Sequence, residues 1–421
     1  MTIEQANQYF ASLPEGFAGP EQLRAAFPPA AGRMQYVGIA GTAGRTAVAR
    51  LLAAILHAAG IPAGLYCAGG TPLSARLWVD GAPVDAGDYC ALAEGLSAAE
   101  ELPGPAAELL AAAGCFGLAG CAVAVVELPD AGLAAALPQM PVCAVTAIGP
   151  DGISRSVERS AALAGGVMRA GTVCVTAPGQ PKAALTELIV AAGKCGCELV
   201  VPDEEDITFL EAERFASRID YGGYTAPLAF LGRHAAGNAA VAVELALALW
   251  RCGFAIEDEA ILAGLAAVEN RSSIRVVSQQ PLVVLDACHT PQQAAALLQV
   301  LNLAGVRHLC AVIGLAEEEG AEAFFAALES GLTPEQQQKD KQTMPGMGEN
   351  PFDRVLLVTP PGGDPALAGR LLQKARFHFD AALCASLPEA LEQARATARR
   401  GLLVCGSEAL ALQAAQLLEN S

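Results

Sequence analysis

From Gln35 to the end of the chain, apolar runs of strand length alternate with amphipathic stretches of helix length, and this alternation limits the fold more than any other feature. Gln35–Ala40 reads as a strand, Thr46–Ala59 as a helix and Ala63–Cys67 as the next strand. The stretch RLWVDGAPV (Arg76–Val84) has the form of a hairpin, with Asp80-Gly81 as its tight turn. CAVAVVEL (Cys121–Leu128), VCAVTAI and GTVCVTA are buried strands, with a helix over Ser156–Met168 between the last two, and ELVVP closes the run. Strands that are apolar throughout, separated by helices, belong to a mainly parallel sheet covered on both faces.

His234–Phe254 reads as one long helix and Glu257–Val268 as another, followed by polar residues at Asn270–Ser273 that read as a linker. A second alternating block follows, with strands in PLVVLDA, HLCAVIGL, DRVLLVTP, FDAALCA and GLLVCGS and a helix after each. The polar, Pro- and Gly-interrupted segment Thr333–Asp353 within it is expected to be a mobile loop. The predicted organisation is therefore a larger α/β domain over 1–273 and a smaller α/β domain over 280–421, with the loop at 333–353. A chain of 421 residues is too long for one core, and its size suggests two or three domains.

The formal net charge of −18 argues against nucleic acid or an anionic membrane as partner, because phosphate surfaces need clustered Lys and Arg. No apolar run reaches membrane-spanning length without a Gly, Pro or charge breaking it. The 13 cysteines are spread through apolar runs and no signal peptide precedes them, so reduced, buried thiols in a cytoplasmic protein are expected. Cys195-Gly196-Cys197 has no second pair at zinc spacing and reads as core packing.

VGIAGTAGRTAVARLLAAILHAAG (Val37–Gly60) has the outline of a phosphate-binding loop: a strand, glycines, then a helix. Such loops work because successive backbone N–H groups and a helix N-terminus point at the phosphates. Gly41, Thr42 and Gly44 supply that geometry, Thr46 offers the hydroxyl that such loops place on Mg²⁺, and Arg45 stands where the G-x-x-x-x-G-K-[ST] pattern has lysine. Arginine keeps the charge but presents a planar fork in place of a compact ammonium. By pattern alone, an ordinary glycine-rich strand-to-helix turn is an equal reading.

GTAGRTAVARLLAAILHAAGIPAGLYCAGG resembles the loop, helix and strand of folylpolyglutamate synthases and dihydrofolate synthases, Mur-ligase-type enzymes that commonly read GTNGKGS … GLYTSPHL. The likeness continues in order along nearly the whole chain. ARLWVDGAPV is similar to ERIxINGxxI, AVVELPDAG stands in the place of EVGLGGR, VTAIGPDG resembles TNIGxDH and GGVMRAG resembles AGIIKPG. LGRHAAGNAAVAVELA stands where LKGxHQxxNAxxA is found, VVLDACHTP where xxLDGAHNP is found, TPPGGDP at a strand end of the second domain, and LVCGSEAL at the terminal TGSxYL. The resemblance implies a Mur-ligase-like, P-loop-type central domain with a mainly parallel sheet and a smaller Rossmann-like C-terminal α/β domain. It implies an ATP-dependent amide ligase that uses Mg²⁺ and joins an amino acid to a folate-like acid through an acyl phosphate.

The departures fall on the chemistry. The loop lysine is Arg45, the loop serine is Ala47, the metal histidine of xDH falls on Gly152, and the metal-bridging lysine falls on Ala164 with Leu163 beside it. The linker arginine falls on Ser273, with Arg271 close by. The first lysine anywhere in the chain is Lys182, so no shift of the N-terminal block restores one. Other positions match: Glu127 where the family holds magnesium, Asp151 in xDH, His234 and Asn238 in the nucleotide-contacting helix, Asp286 and His289 near ribose and phosphate. Each has a plainer reading, Glu127 as a solvated strand-end carboxylate, Asp151 and Asp286 as caps, His234 and Asn238 as i, i+4 partners of one another. Three functions follow: a working folate-type ligase, a non-catalytic relative that binds a nucleotide, a folate-like molecule or a protein partner, and a ligase with a changed substrate. Losing several charge-neutralising groups together favours the second, since one lost electrostatic donor typically costs about a hundredfold or more in rate.

Overall fold

The computed structural model describes residues 1–16, 19–69, 72–98, 102–149, 156–213, 215–268, 274–332, 350–397 and 401–419. Two compact units divide the chain: 1–210 with 218–228 and 235–268, and 211–217 with 229–234 and 269–421.

The first unit is built on an eight-stranded sheet ordered β4-β3-β2-β5-β1-β6-β7-β8. Its strands are β1 (Gln35–Ala40), β2 (Ala63–Tyr66), β3 (Leu77–Val79), β4 (Ala82–Pro83), β5 (Val123–Glu127), β6 (Val142–Val145), β7 (Val173–Thr176) and β8 (Glu198–Val200). The inner strands are parallel, and β3 and β4 form the antiparallel edge. The β3–β4 hairpin turns at Asp80 and Gly81, both at positive φ, as the Asp-Gly pair predicts. β1 lies between β5 and β6, yet the chain leaves it for β2 beyond β5. Connections thus diverge on either side of the C-terminal end of β1, the position at which open α/β sheets generally bind ligands.

The helix after β1, Arg45–Ala58, buries Val48, Ala49, Leu51, Leu52, Ile55 and Leu56. Complete burial of such a leucine or isoleucine contributes about 1.5–3 kcal/mol, so this stripe holds the helix and the glycine loop before it against the sheet. Leu52→Ala alone would cost about 2–5 kcal/mol.

A three-stranded sheet, β11-β10-β9, comprises β9 (Ile207–Glu213), β10 (Ala216–Tyr221) and β11 (Tyr224–Leu228). The second unit carries a six-stranded sheet ordered β12-β13-β17-β14-β15-β16, from β12 (Arg275–Gln279), β13 (Leu282–Leu285), β14 (Leu309–Ile313), β15 (Phe352–Leu357), β16 (Ala381–Leu383) and β17 (Gly401–Cys405). β12 is antiparallel to β13 and the other pairings are parallel. Alternate residues of these strands feed two cores, Val284, Ala311, Val355 and Leu403 on one face and Leu285, Val312, Leu356 and Val404 on the other. This is the mainly parallel α/β arrangement expected from the second alternating block, and the Rossmann-like one that the resemblance implies.

Some expectations need correction. Strand β15 begins at Phe352, so the last residues of the expected 333–353 loop are ordered sheet; 333–349 lie outside the described residues. The linker residues Asn270–Ser273 also lie outside them. The cysteines are less uniformly buried than expected, with Cys252 exposed and Cys90, Cys195 and Cys197 half-buried. Among the described residues no helix is long and apolar enough to cross a membrane.

Candidate functional site

In the first unit the site forms at the C-terminal ends of β1, β5 and β6. Gly41 leaves β1 at φ +130°, and Gly44 caps the helix Arg45–Ala58 at φ +85°. A Cβ on Gly41 would stand 2.2 Å from Thr146 Oγ1, and one on Gly44 would stand 2.5 Å from Asn238 Oδ1. Both positions therefore require glycine, for space as well as for backbone conformation. Asn238 is buried and lies against the loop.

The loop's amides divide into two sets. Those of Thr42 and Ala43 both donate to the Ala147 carbonyl at 3.1 Å, while the Thr42 hydroxyl donates to the same carbonyl and accepts from Gly149 N–H at 2.8 Å. Thr42 is thus a strut that ties the loop to the end of β6. The amides of Gly44, Arg45, Thr46 and Ala47 have no internal acceptor among the described residues, and the helix bonds begin with Val48 N–H on Gly44 O. These are the orphan donors of a helix N-terminus, which attract anions.

Arg45 folds back over this turn, its Nη1 donating to Gly41 O at 2.7 Å. Beneath it lies Glu127, the last residue of β5 and only 1% exposed. Its Oε2 accepts from Ala68 N–H at 3.1 Å, while Oε1 is buried without a hydrogen-bond partner. Burial pushes the Glu127 carboxyl above its usual pKa, opposed first by the Arg45 charge and then by Thr46, Ala68 and Cys67. The solvated-carboxylate reading of Glu127 is therefore wrong: the sheet interior surrounds it.

A group that the sequence pattern did not mark supports this edge. Arg76 and Glu108 make a two-pronged buried pair at 2.6 and 2.9 Å, and Tyr66 donates its hydroxyl to Glu108 at 2.7 Å. Arg76 Nη1 also donates to Cys67 O at 3.3 Å, next to the Ala68 amide that meets Glu127. A chain of contacts thus runs from the helix Gly104–Leu118 to the Glu127 carboxylate. Gln180 braces the other side, donating to Thr146 O and accepting from Ile148 N–H.

Ala164, the position of the expected bridging lysine, ends the helix Val157–Ala164 and is buried, while Leu163 beside it is exposed. Asp151 and Gly152 lie outside the described residues, as do Arg271 and Ser273.

In the second unit Asp286 is buried at the end of β13, and its two carboxylate oxygens accept from Ile274 N–H at 2.6 Å and Cys288 N–H at 2.7 Å. Burial raises its pKa, and these hydrogen bonds oppose the rise. Asp286 thus fixes the turn and the start of β12, while the cap of the next helix is Thr290, in a capping box with Gln293. His289 is exposed, its Nδ1 3.0 Å from Ala287 O. His234 is exposed on the helix Arg233–Arg251, and no hydrogen bond joins it to Asn238.

No protein-family model and no curated protein sequence matches the chain. Solved structures do. A folylpolyglutamate synthase from Mycobacterium tuberculosis, complexed with ADP, superposes with a TM-score of 0.81 at 22% identity, over 99% of this chain and 98% of that one. The bifunctional folylpolyglutamate synthase/dihydrofolate synthase of Yersinia pestis matches at TM-score 0.73 and 22% identity, over 100% and 94%. The Thermotoga maritima folylpolyglutamate synthase matches at TM-score 0.77 and 20% identity, over 99% and 96%. The chain has the folylpolyglutamate synthase fold. This architecture of two α/β sheets is the one expected from the ordered motifs.

A divalent cation, which the folylpolyglutamate synthase fold implies, can be tested against these donors. Glu127 Oε1 is a free buried oxygen, but it is a single carboxylate, and the positive charge acting on it is already the Arg45 guanidinium. Among the described residues no three His, Cys, Asp or Glu side chains gather as metal ligands. The described residues by themselves do not make a resident metal centre.

Proposed function

We propose that this chain is a divergent relative of the folylpolyglutamate synthases that binds a nucleotide at the Gly41–Thr46 loop, with its amide-ligase activity weakened or lost. The observation that carries the reading is the loop itself: unpaired amides from Gly44 to Ala47 at a helix N-terminus, beside Asn238 and beneath the Arg45 side chain. Those features suit phosphate oxygens, and ADP is the ligand named for the Mycobacterium tuberculosis structure. Asp286, His289 and His234 are carried as candidate nucleotide contacts on their motif positions alone. A folate-like acid is the proposed second ligand.

The loss of ligase activity is supported by what surrounds the loop. Phosphoryl transfer depends on positioned positive charge, and removing one such donor typically costs about 10²–10³ in rate. Arg45 replaces a compact ammonium, and the buried methyl of Ala164 carries no charge.

Isothermal titration with ATP and ADP tests binding, and phosphate release in the presence of magnesium, folates and glutamate tests turnover. Binding with background phosphate release is expected. Folate-dependent turnover would overturn the loss of activity, and absence of nucleotide binding would overturn the reading as a whole.

A further inference from the structure

Two arginines converge at the edge of the first sheet that lies opposite the glycine loop. The short 3-10 helix Ala131–Ala136 precedes β6, and the segment Arg169–Thr172 precedes β7, so both stand at the N-terminal ends of paired parallel strands. Arg169, half-buried, donates from Nη1 to Leu137 O at 2.8 Å. Arg24, exposed on the helix Pro20–Ala26, donates from Nη2 to Ala135 O, two residues earlier. The Thr172 hydroxyl accepts from Arg169 N–H at 3.3 Å and donates to Arg169 O at 2.8 Å. The backbone that carries this guanidinium is therefore held in place.

Neither arginine meets a carboxylate. With 44 acidic against 26 basic residues a carboxylate is the readiest partner for a guanidinium, yet among the described residues none pairs with Arg24 or Arg169. Arg169 Nε and Nη2 are buried without any hydrogen-bond partner. These two atoms form one edge of the planar guanidinium, and its parallel N–H groups match two oxygens of one oxoanion. A buried donor without an acceptor carries its full desolvation penalty, larger still on a charged group. Burial also pulls the Arg169 pKa below its usual range, and the Arg24 charge pulls it further. The two carbonyls engage one nitrogen of each arginine and bring only partial charge. A water molecule accepts hydrogen bonds but leaves two like charges uncompensated. A doubly charged oxoanion answers the open edge, the burial and the repulsion together.

We propose that Arg24 and Arg169 form a second anion site, at the sheet edge away from the glycine loop, for a phosphate dianion, free or as the terminal group of a small phosphorylated molecule. Arg169 Nε and Nη2 hold two of its oxygens, and Arg24 adds charge from the surface. The site is independent of whether the glycine loop takes a nucleotide.

The test is thermal unfolding of the full chain in rising inorganic phosphate, against potassium chloride and potassium acetate at equal ionic strength. Phosphate is expected to raise Tm beyond either salt, with a saturable dependence. Phosphate also has the glycine loop to bind, so the arginine variants carry the assignment. The part of the rise that Arg24→Gln or Arg169→Gln removes reports this site, whose affinity should fall about tenfold or more, the equivalent of one charge-assisted hydrogen bond. Arg24 lies at the surface, so Arg24→Gln keeps the test decisive if Arg169→Gln does not fold. Glycerol phosphate run in parallel separates the sources. A rise equal to that in phosphate supports a site for phosphorylated molecules, and no rise supports a site for the free ion. A Tm no higher in phosphate than in chloride would overturn the inference. So would an undiminished rise in both folded variants, which places the phosphate elsewhere. Acetate acting as well as phosphate would show a general charge effect and overturn it too.

Discussion

The guanidinium of Arg45 donates to the carbonyl of Gly41, 2.7 Å away, so the first residue of the helix closes the loop that precedes it. The same charge offsets Glu127, which otherwise stands buried at the end of β5. Arg45→Met removes both effects and should destabilise the protein by about 1–3 kcal/mol. In a Glu127→Gln background the same change should cost less, because no buried charge is left unbalanced. Urea unfolding of the two single variants and the double variant measures this coupling; strict additivity would show that the two residues act independently.

Glu127 also predicts a pH dependence. Its folded pKa is raised above the ordinary 4.5, so its contribution to stability is fully present below that value and is lost as pH rises through the folded pKa. Glutamine does not titrate. The stability of Glu127→Gln relative to the parent should therefore improve as pH rises from about 4.5 towards neutrality. Unfolding free energies measured across that range on both proteins check the sign, and a difference independent of pH would contradict the burial of this carboxyl.

Much of this architecture is legible in the sequence, and the parts that are not have physical reasons. The β3–β4 turn is legible because Asp80-Gly81 is a pair that tolerates positive φ in sequence. Strands β5, β6 and β7 are legible because burial on both faces leaves them continuously apolar. Strands β9 to β11 are hard to read from the sequence because their segments carry charged residues among the apolar ones, although Gly222-Gly223 between two tyrosines is a hairpin signal that marks them. The glycine loop announces itself through spacing. Arg76 and Glu108 do not, because they are 32 residues apart and only the folded sheet brings them together. The strand end at Asp286 is legible, but its two amide partners, one of them Ile274, depend on a chain reversal that no local pattern reports.

The Arg76–Glu108 pair should be costly to break and cheaper to replace whole. Arg76→Met leaves Glu108 without its counter-charge, with the Tyr66 hydroxyl as its remaining hydrogen-bond donor among the described residues, and should cost about 3–5 kcal/mol. Arg76→Met combined with Glu108→Leu removes both charges and should recover a large part of that loss. Urea unfolding distinguishes the cases. A double variant as unstable as the sum of its parts would show that the hydrogen bonds to Cys67 and Tyr66, more than charge compensation, are what this corner needs.

Gly44 separates two costs that glycine substitutions usually mix. At φ +85° a side chain is strained, and its Cβ would also stand 2.5 Å from Asn238 Oδ1. Gly60, at φ +68°, has nothing within 4 Å of the same position. Gly60→Ala should therefore show backbone strain alone, about 1–2 kcal/mol. Gly44→Ala should cost more than that, and Asn238→Ala in the same chain should return part of the excess by removing the obstructing amide. Denaturant unfolding of the three variants and the Gly44→Ala/Asn238→Ala double gives the comparison. Equal costs at Gly44 and Gly60 would mean that Asn238 moves aside freely. In that case Asn238 would not be the wall of the loop that its buried position indicates.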